Sequence, residues 1–167
     1  MSELEWKYLE KPARDEDIKK VEEKLNVIFP EDYKQCIRTN HGARPKRDIF
    51  EVEGMERVFG ALLMIQTPEK AIDILRVYEN YKLTLPKNVI PFADDPSGNL
   101  ICFDYKNHSE NPIVVFWEHE DAWEKEMLMK EEGLSEEEAE EVARENIFYV
   151  ADTFTEFLQK LHEDEED

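Results

Sequence analysis

The fold turns on PFADDPSGNLICFDY, residues 91–105. At its centre, Asp95-Pro96-Ser97-Gly98 has the order of a type I turn: Asp first, Pro second where its fixed φ is preset, and Gly fourth. Two apolar runs flank the turn. On the near side VIPFA (89–93) contains Pro91, which cannot donate to a ladder, so this strand belongs at an edge or a bulge. On the far side LICFDY (100–105) is apolar at successive positions, as a strand covered on both faces requires. IVVFW (113–117) follows the polar connection KNHSEN and reads as a buried central strand. These runs predict a sheet that is mainly an antiparallel meander.

Helical spacing surrounds it. In DEDIKKVEEKLNV (15–27), Ile18, Val21 and Leu25 form one stripe, with acidic side chains in the first turn where they favour the helix dipole. FPEDYKQCIRTNHG (29–42) predicts a second helix, with Pro30 at its first position, Tyr33 and Ile37 one turn apart, and Gly42 as its stop. DIFEVEGMERVFGALLMI (48–65), interrupted by Gly54 and Gly60, reads as a hairpin-like pair of strands. PEKAIDILRVYENYKL (68–83) returns to helical spacing through Ile72, Leu75 and Tyr78 or Tyr81.

Beyond Trp117 the composition changes. EHEDAWEKEMLMKEEG (118–133) is spaced to bury Trp123 and Met127 on a helix, and LSEEEAEEVARENI (134–147) opens with a Ser135/Glu138 capping box before a narrow Ala139, Val142, Ala143 face. A second capping box, Thr153 with Glu156, starts a last helix whose Phe154, Phe157, Leu158 and Leu161 must dock on the sheet. The expectation is one α+β domain over residues 1–162, a central mostly antiparallel sheet with helices packed around it. An acidic helical segment occupies about 118–146, and residues 163–167, all acidic, form a disordered tail.

Composition supports a folded core: 41% of the 167 residues are hydrophobic, although 37% are charged. The net charge of −20 is concentrated at one end, since residues 118–167 hold 20 acidic and 4 basic side chains. Such a surface repels phosphate backbones, so direct nucleic-acid binding is disfavoured, whereas it attracts and steers a basic protein. A solvated face serving solubility is the plainer reading of the same charge. No run approaches the length needed to span a bilayer and the N-terminus has no apolar signal region, so a soluble cytoplasmic protein without a membrane partner is expected. Cys36 and Cys102 lie in apolar-patterned segments and read as buried thiols of a reducing compartment.

Catalytic and metal chemistry find little support in these motifs. Started at Asp94 or Asp95, a calcium loop of the EF-hand type lacks glycine at its sixth position, which Asn99 or Leu100 occupies. His41, His108, His119 and His162 share no ligand spacing, and no serine or cysteine sits in a nucleophile elbow. No catalytic residue, metal ligand or cofactor is assigned. A metal-dependent enzyme using Asp94 and Asp95 stays as a remote alternative. Arg44, Lys46 and Arg47 read as a solvated loop, and Trp117 and Trp123 read as core, Trp123 being also the candidate anchor for a partner. On a helix beginning after Ser135, Glu136, Glu137, Glu140 and Glu141 lie away from the Ala139, Val142, Ala143 face. With Trp123, Glu120, Asp121 and Asp94 they form the candidate partner-binding set.

Three ordered blocks, DIKKVEEKLNVIFPEDYKQCIRTNHG, then VIPFADDPSGNLICFDY with IVVFW, then VADTFTEFLQKL, together resemble the SUKH superfamily, which unites bacterial toxin-immunity proteins with a yeast regulator of cell-wall synthesis. The matching positions are Ile18, Glu22 and Leu25, then Pro30, Tyr33 and Gly42, then Asp95, Gly98, Asn99 and Asp104, and finally Phe154, Phe157 and Leu158. The acidic segment at about 118–146 departs from the family pattern. The resemblance implies a non-catalytic binding module, an immunity protein that neutralises a cognate secreted toxin, often a nuclease; the charge distribution makes the acidic surface the expected contact. An intracellular scaffold or regulatory domain is the alternative, and the oligomeric state stays between monomer and weak dimer.

Overall fold

The computed structural model describes residues 4–163. Its centre is a four-stranded antiparallel sheet, β5 (Val89–Asp94), β6 (Leu100–Asp104), β7 (Ile113–Trp117) and β8 (Ile147–Ala151), in the order β5-β6-β7-β8. The expected α+β class and the meander are both present. Pro91 lies on edge strand β5, where the register shifts between Pro91 and Ala93, because a residue without N–H is tolerated at an edge or bulge. That edge is covered by residues 60–63: Gly60 N–H donates to Asp94 O (2.7 Å) and Leu63 N–H to Phe92 O (2.9 Å). A Cβ at Gly60 would stand 2.9 Å from Asp94 O, so this approach requires glycine.

β8 is a strand the sequence reading did not foresee. It pairs with β7 from Val114↔Ala151 to Trp117↔Ile147 and supplies the second outer strand. The acidic segment is therefore an excursion between two neighbouring antiparallel strands.

Both faces of the sheet are covered, which is why β6 and β7 are apolar at successive positions. On one face Phe103 stacks on Phe92 (centroids 4.3 Å) and meets Tyr33 edge-on (5.2 Å), while Phe92 also contacts Phe154 and Phe157. Tyr33 belongs to α2 (Glu31–Asn40), whose buried positions Tyr33 and Ile37 lie one turn apart as expected. Pro30 is the cap preceding this helix, one position earlier than expected. Phe154 and Phe157 are the buried positions of α6 (Phe154–Gln159), capped by Thr153 Oγ1. Oriented aromatic pairs contribute about 0.5–1.5 kcal/mol each beyond their buried area. The same layer receives the hairpin β3 (Ile49–Val52) and β4 (Met55–Val58) through Phe50 against Phe116 and Phe157. Its connection, Glu53-Gly54, has positive φ at both residues, as the two-residue turn of a right-twisted hairpin requires.

The other face of β6 and β7 presents Leu100, Asp104 and Trp117. Trp117 meets Tyr81 of α3 (Ile74–Tyr81) at 5.4 Å. The buried pair of α3 is Ile74 and Val77, with Ile72, Leu75, Tyr78 and Tyr81 at the margin. The helix starts where it does because Asp73, itself buried, accepts from Leu75 N and Arg76 N. α1 (Asp15–Leu25) buries Ile18 and Val21 and ends at Asn26 in the left-handed region. The two-residue pair β1 (Trp6–Lys7) and β2 (Arg44–Pro45) closes the N-terminal end. Of the acidic tail expected at 163–167, all but Glu163 lies outside the described residues.

Candidate partner-binding surface

The 95–99 turn is the foundation of the acidic segment. Asp95 is buried and accepts from Ser97 N (2.9 Å), Asn99 N (2.8 Å) and Asn99 Nδ2 (3.0 Å). Asn99 Oδ1 then accepts from His119 N at 3.0 Å and lies 2.6 Å from His119 Nδ1. The family-matching residues Asp95, Gly98 and Asn99 thus hold the chain as it leaves β7. Asp94 is engaged too: its half-buried Oδ1 accepts from Ala61 N (2.9 Å), and burial, with the Asp95 charge beside it, holds its carboxyl above the usual carboxylate range. Both carboxylates accept backbone N–H bonds, and Asp95 is buried.

From His119 the chain runs through exposed Glu120 and Asp121 to Trp123, which is 59% exposed. The expectation that Trp123 and Met127 are core is corrected here. α4 (Lys125–Glu131) has no buried residue, and Met127 and Met129 are 41% and 39% exposed. The apolar spacing is real, but the described residues leave Trp123 and Met127 largely exposed. α4 is held instead at its ends, by Lys125 N–H donating to half-exposed Leu83 O (3.1 Å) and by packing against the next helix.

That helix, α5 (Glu136–Arg144), begins in the expected capping box of Ser135 and Glu138 and buries only Ala139 and Ala143. So narrow an apolar face needs polar fastening. Arg144 forms a bidentate pair with buried Asp104 of β6, Nη1 to Oδ2 at 3.0 Å and Nη2 to Oδ1 at 3.1 Å. Glu140 accepts from Lys87 N (2.9 Å) and pairs with Lys125 Nζ (2.7 Å). Burial pushes its carboxyl up, but the ammonium and the N–H outweigh this and hold it below the usual range.

The predicted set therefore divides. Glu136, Glu137 and Glu141 are exposed along α5 and, with Glu140, Lys87, Lys106 and Arg144, line a shallow cleft of about 460 Å³. Glu120, Asp121 and Trp123 are exposed at the start of the segment. Asp94 and Glu140 are committed to contacts inside the fold. The surface also includes Met127, Met129 and Leu83, which the sequence reading had not placed there.

A four-stranded antiparallel meander with helices packed on it makes this a single α+β domain. The profile of the SMI1 / KNR4 family (SUKH-1) matches residues 12–160, and the chain belongs to that family. It is similar to the SPbeta prophage-derived uncharacterized protein YokK of Bacillus subtilis (strain 168), with 26% identity over 128 residues. That match covers 63% of this chain and 62% of the relative, so the chain spans less than two thirds of the relative's length. No helix among the described residues is long and apolar enough to cross a membrane.

Proposed function

We propose that this protein is a non-catalytic immunity protein of the cytoplasm, which binds a cognate secreted toxin and blocks its active surface. Membership of the SMI1 / KNR4 family supports the class of function. The observation that carries the reading is α4, a helix with no buried residue, which displays Met127 and Met129 and is preceded by exposed Trp123, all among acidic side chains. Exposed aromatic and methionine side chains within a charged rim suit a protein interface, in which a few desolvated anchors supply affinity and surrounding charge supplies association rate and partner choice. The rim here is Glu120 and Asp121 beside Trp123, continued by Glu136, Glu137 and Glu141 on α5. Its complement is a basic surface, such as a nuclease domain presents to nucleic acid.

Co-expression with a toxin encoded beside its gene tests this reading. Growth should be restored by the wild-type protein and lost with Trp123→Ala, although that variant folds normally. Full rescue by Trp123→Ala combined with Glu136→Lys, Glu137→Lys and Glu141→Lys would reject this surface. Absence of any binding to, or rescue from, the neighbouring toxin would favour a scaffold role.

A further inference from the structure

At the β3–β4 hairpin, a histidine far away in sequence converges on two glutamates. Glu51 of β3 and Glu56 of β4 are directly opposed in the hairpin register, and His162 pairs with Ile49 through Ile49 N to His162 O (3.0 Å) and His162 N to Ile49 O (2.9 Å). One ligand atom from each of Glu51, Glu56 and His162 lies within 4.8 Å of the other two.

Two features of this triad favour a positive charge at its centre, which a proton on the imidazole or a bound metal ion supplies. Like charges directly opposed on an antiparallel pair are destabilising, yet Glu51 and Glu56 face one another beside the turn. His162 Nδ1 lies 2.9 Å from Glu163 O, a carbonyl that can only accept, so Nδ1 carries hydrogen. The second ring nitrogen, Nε2, stands 2.8 Å from Glu51 Oε1. A lone pair facing a carboxylate at that distance is repulsive unless a proton or a metal ion lies between them. A histidine held through Nδ1–H by a main-chain carbonyl, with Nε2 presented to a cation, is the outer-shell arrangement that orients metal-bound imidazole.

We propose that Glu51, Glu56 and His162 form a surface site for a divalent transition-metal ion, zinc being the best match. One imidazole and two carboxylates suit zinc, while calcium takes six to eight oxygens and magnesium an oxygen octahedron. Zinc ligands at about 2.0–2.2 Å from the ion stand roughly 3.4 Å apart in a tetrahedron, so rotation of the two exposed Glu side chains closes the triad, with water in the fourth position. The ion displaces the proton from Nε2, neutralises the opposed pair and ties the segment at His162 to the hairpin. This site is independent of the acidic surface around Trp123.

Titration of the full chain with zinc chloride, followed by calorimetry and thermal melting, tests the proposal. One ion per chain should bind, and Tm should rise by several degrees at about a hundredfold excess over Kd. Glu56→Gln and His162→Gln should each weaken binding at least tenfold. Metal-free Glu56→Gln should melt no lower than wild type, because it removes the opposed charge, so its loss of binding cannot be unfolding. A chain ending at Glu163 should retain the site. Absence of saturable one-to-one binding, retention of full affinity by both variants, or loss of binding on removing residues 164–167 alone would each overturn the assignment.

Discussion

Arg144→Met is the sharpest test of how the acidic layer is attached. The substitution keeps an unbranched apolar stem over the sheet and removes only the guanidinium, leaving Asp104 with Lys106 N (3.0 Å) as its remaining donor. Asp104 is 5% exposed as a residue, so its carboxylate would be a buried charge without a counter-ion. Breaking a fully buried pair in this way costs about 3–5 kcal/mol. Here the arginine side chain is 22% exposed and the aspartate side chain 8%, so water reaches one partner and the expected loss is about 2–3 kcal/mol. For a domain of this length, each kcal/mol lowers Tm by about 2–4 °C, giving a drop of roughly 4–12 °C. Urea denaturation followed by tryptophan fluorescence measures it, since Trp117 is buried against Tyr81. Asp104→Asn combined with Arg144→Met should be less destabilised than Arg144→Met alone, because the stranded charge is gone. A single variant within about 0.5 kcal/mol of wild type, or two additive single effects, would refute the view that this pair fastens α5.

Gly98→Val should cost about 1–3 kcal/mol, because φ is +89° and the new Cβ would meet His119 Cε1 at 3.3 Å; an unchanged urea midpoint would contradict this. Asp94→Asn should be neutral or stabilising at pH 7, since the amide oxygen still accepts from Ala61 N and a disfavoured charge is removed. The native carboxyl titrates above its unfolded value near 3.8, so its contribution is full below that value and is lost as pH rises through the native pKa. The gain from Asn should therefore appear over that rise and vanish in acid, as melting curves across pH would record. Trp123→Ala should leave stability within about 0.5 kcal/mol yet raise the dissociation rate of the toxin complex at least tenfold, measured by surface capture. Glu136→Lys with Glu137→Lys and Glu141→Lys should slow association at low salt, and the loss should shrink towards 0.1 M salt, where charges are screened over about 10 Å. Glu140 is omitted from that variant because it fastens α5 to Lys87 and Lys125. An unchanged stopped-flow rate would return this charge to a solubility role.

The features legible in the sequence are those whose physics is local. Turn chemistry placed Asp95 to Gly98, side-chain period placed Tyr33 with Ile37 and Phe154 with Phe157, and hydroxyl-carboxylate spacing placed the cap at Ser135. Pro91 announced an edge strand because its missing N–H is a property of the residue itself. β8 escaped notice because Ile147–Ala151 follows helix α5 with no turn signal, and only Val150 and Ala151 are buried; its identity as a strand comes from the ladder it completes with β7. Trp123 shows the opposite limit. Its spacing with Met127 predicts an apolar helix face, but burial depends on what the rest of the chain brings over it; Trp123 lies before α4, and among the described residues both side chains stay exposed. Arg144 with Asp104, and Glu51 and Glu56 with His162, are partners only because sheet pairing carries distant segments to within hydrogen-bond or ligand distance. Periodicity and turn propensity are local energies of the chain, whereas burial and charge pairing are energies between segments, and only the folded arrangement decides them.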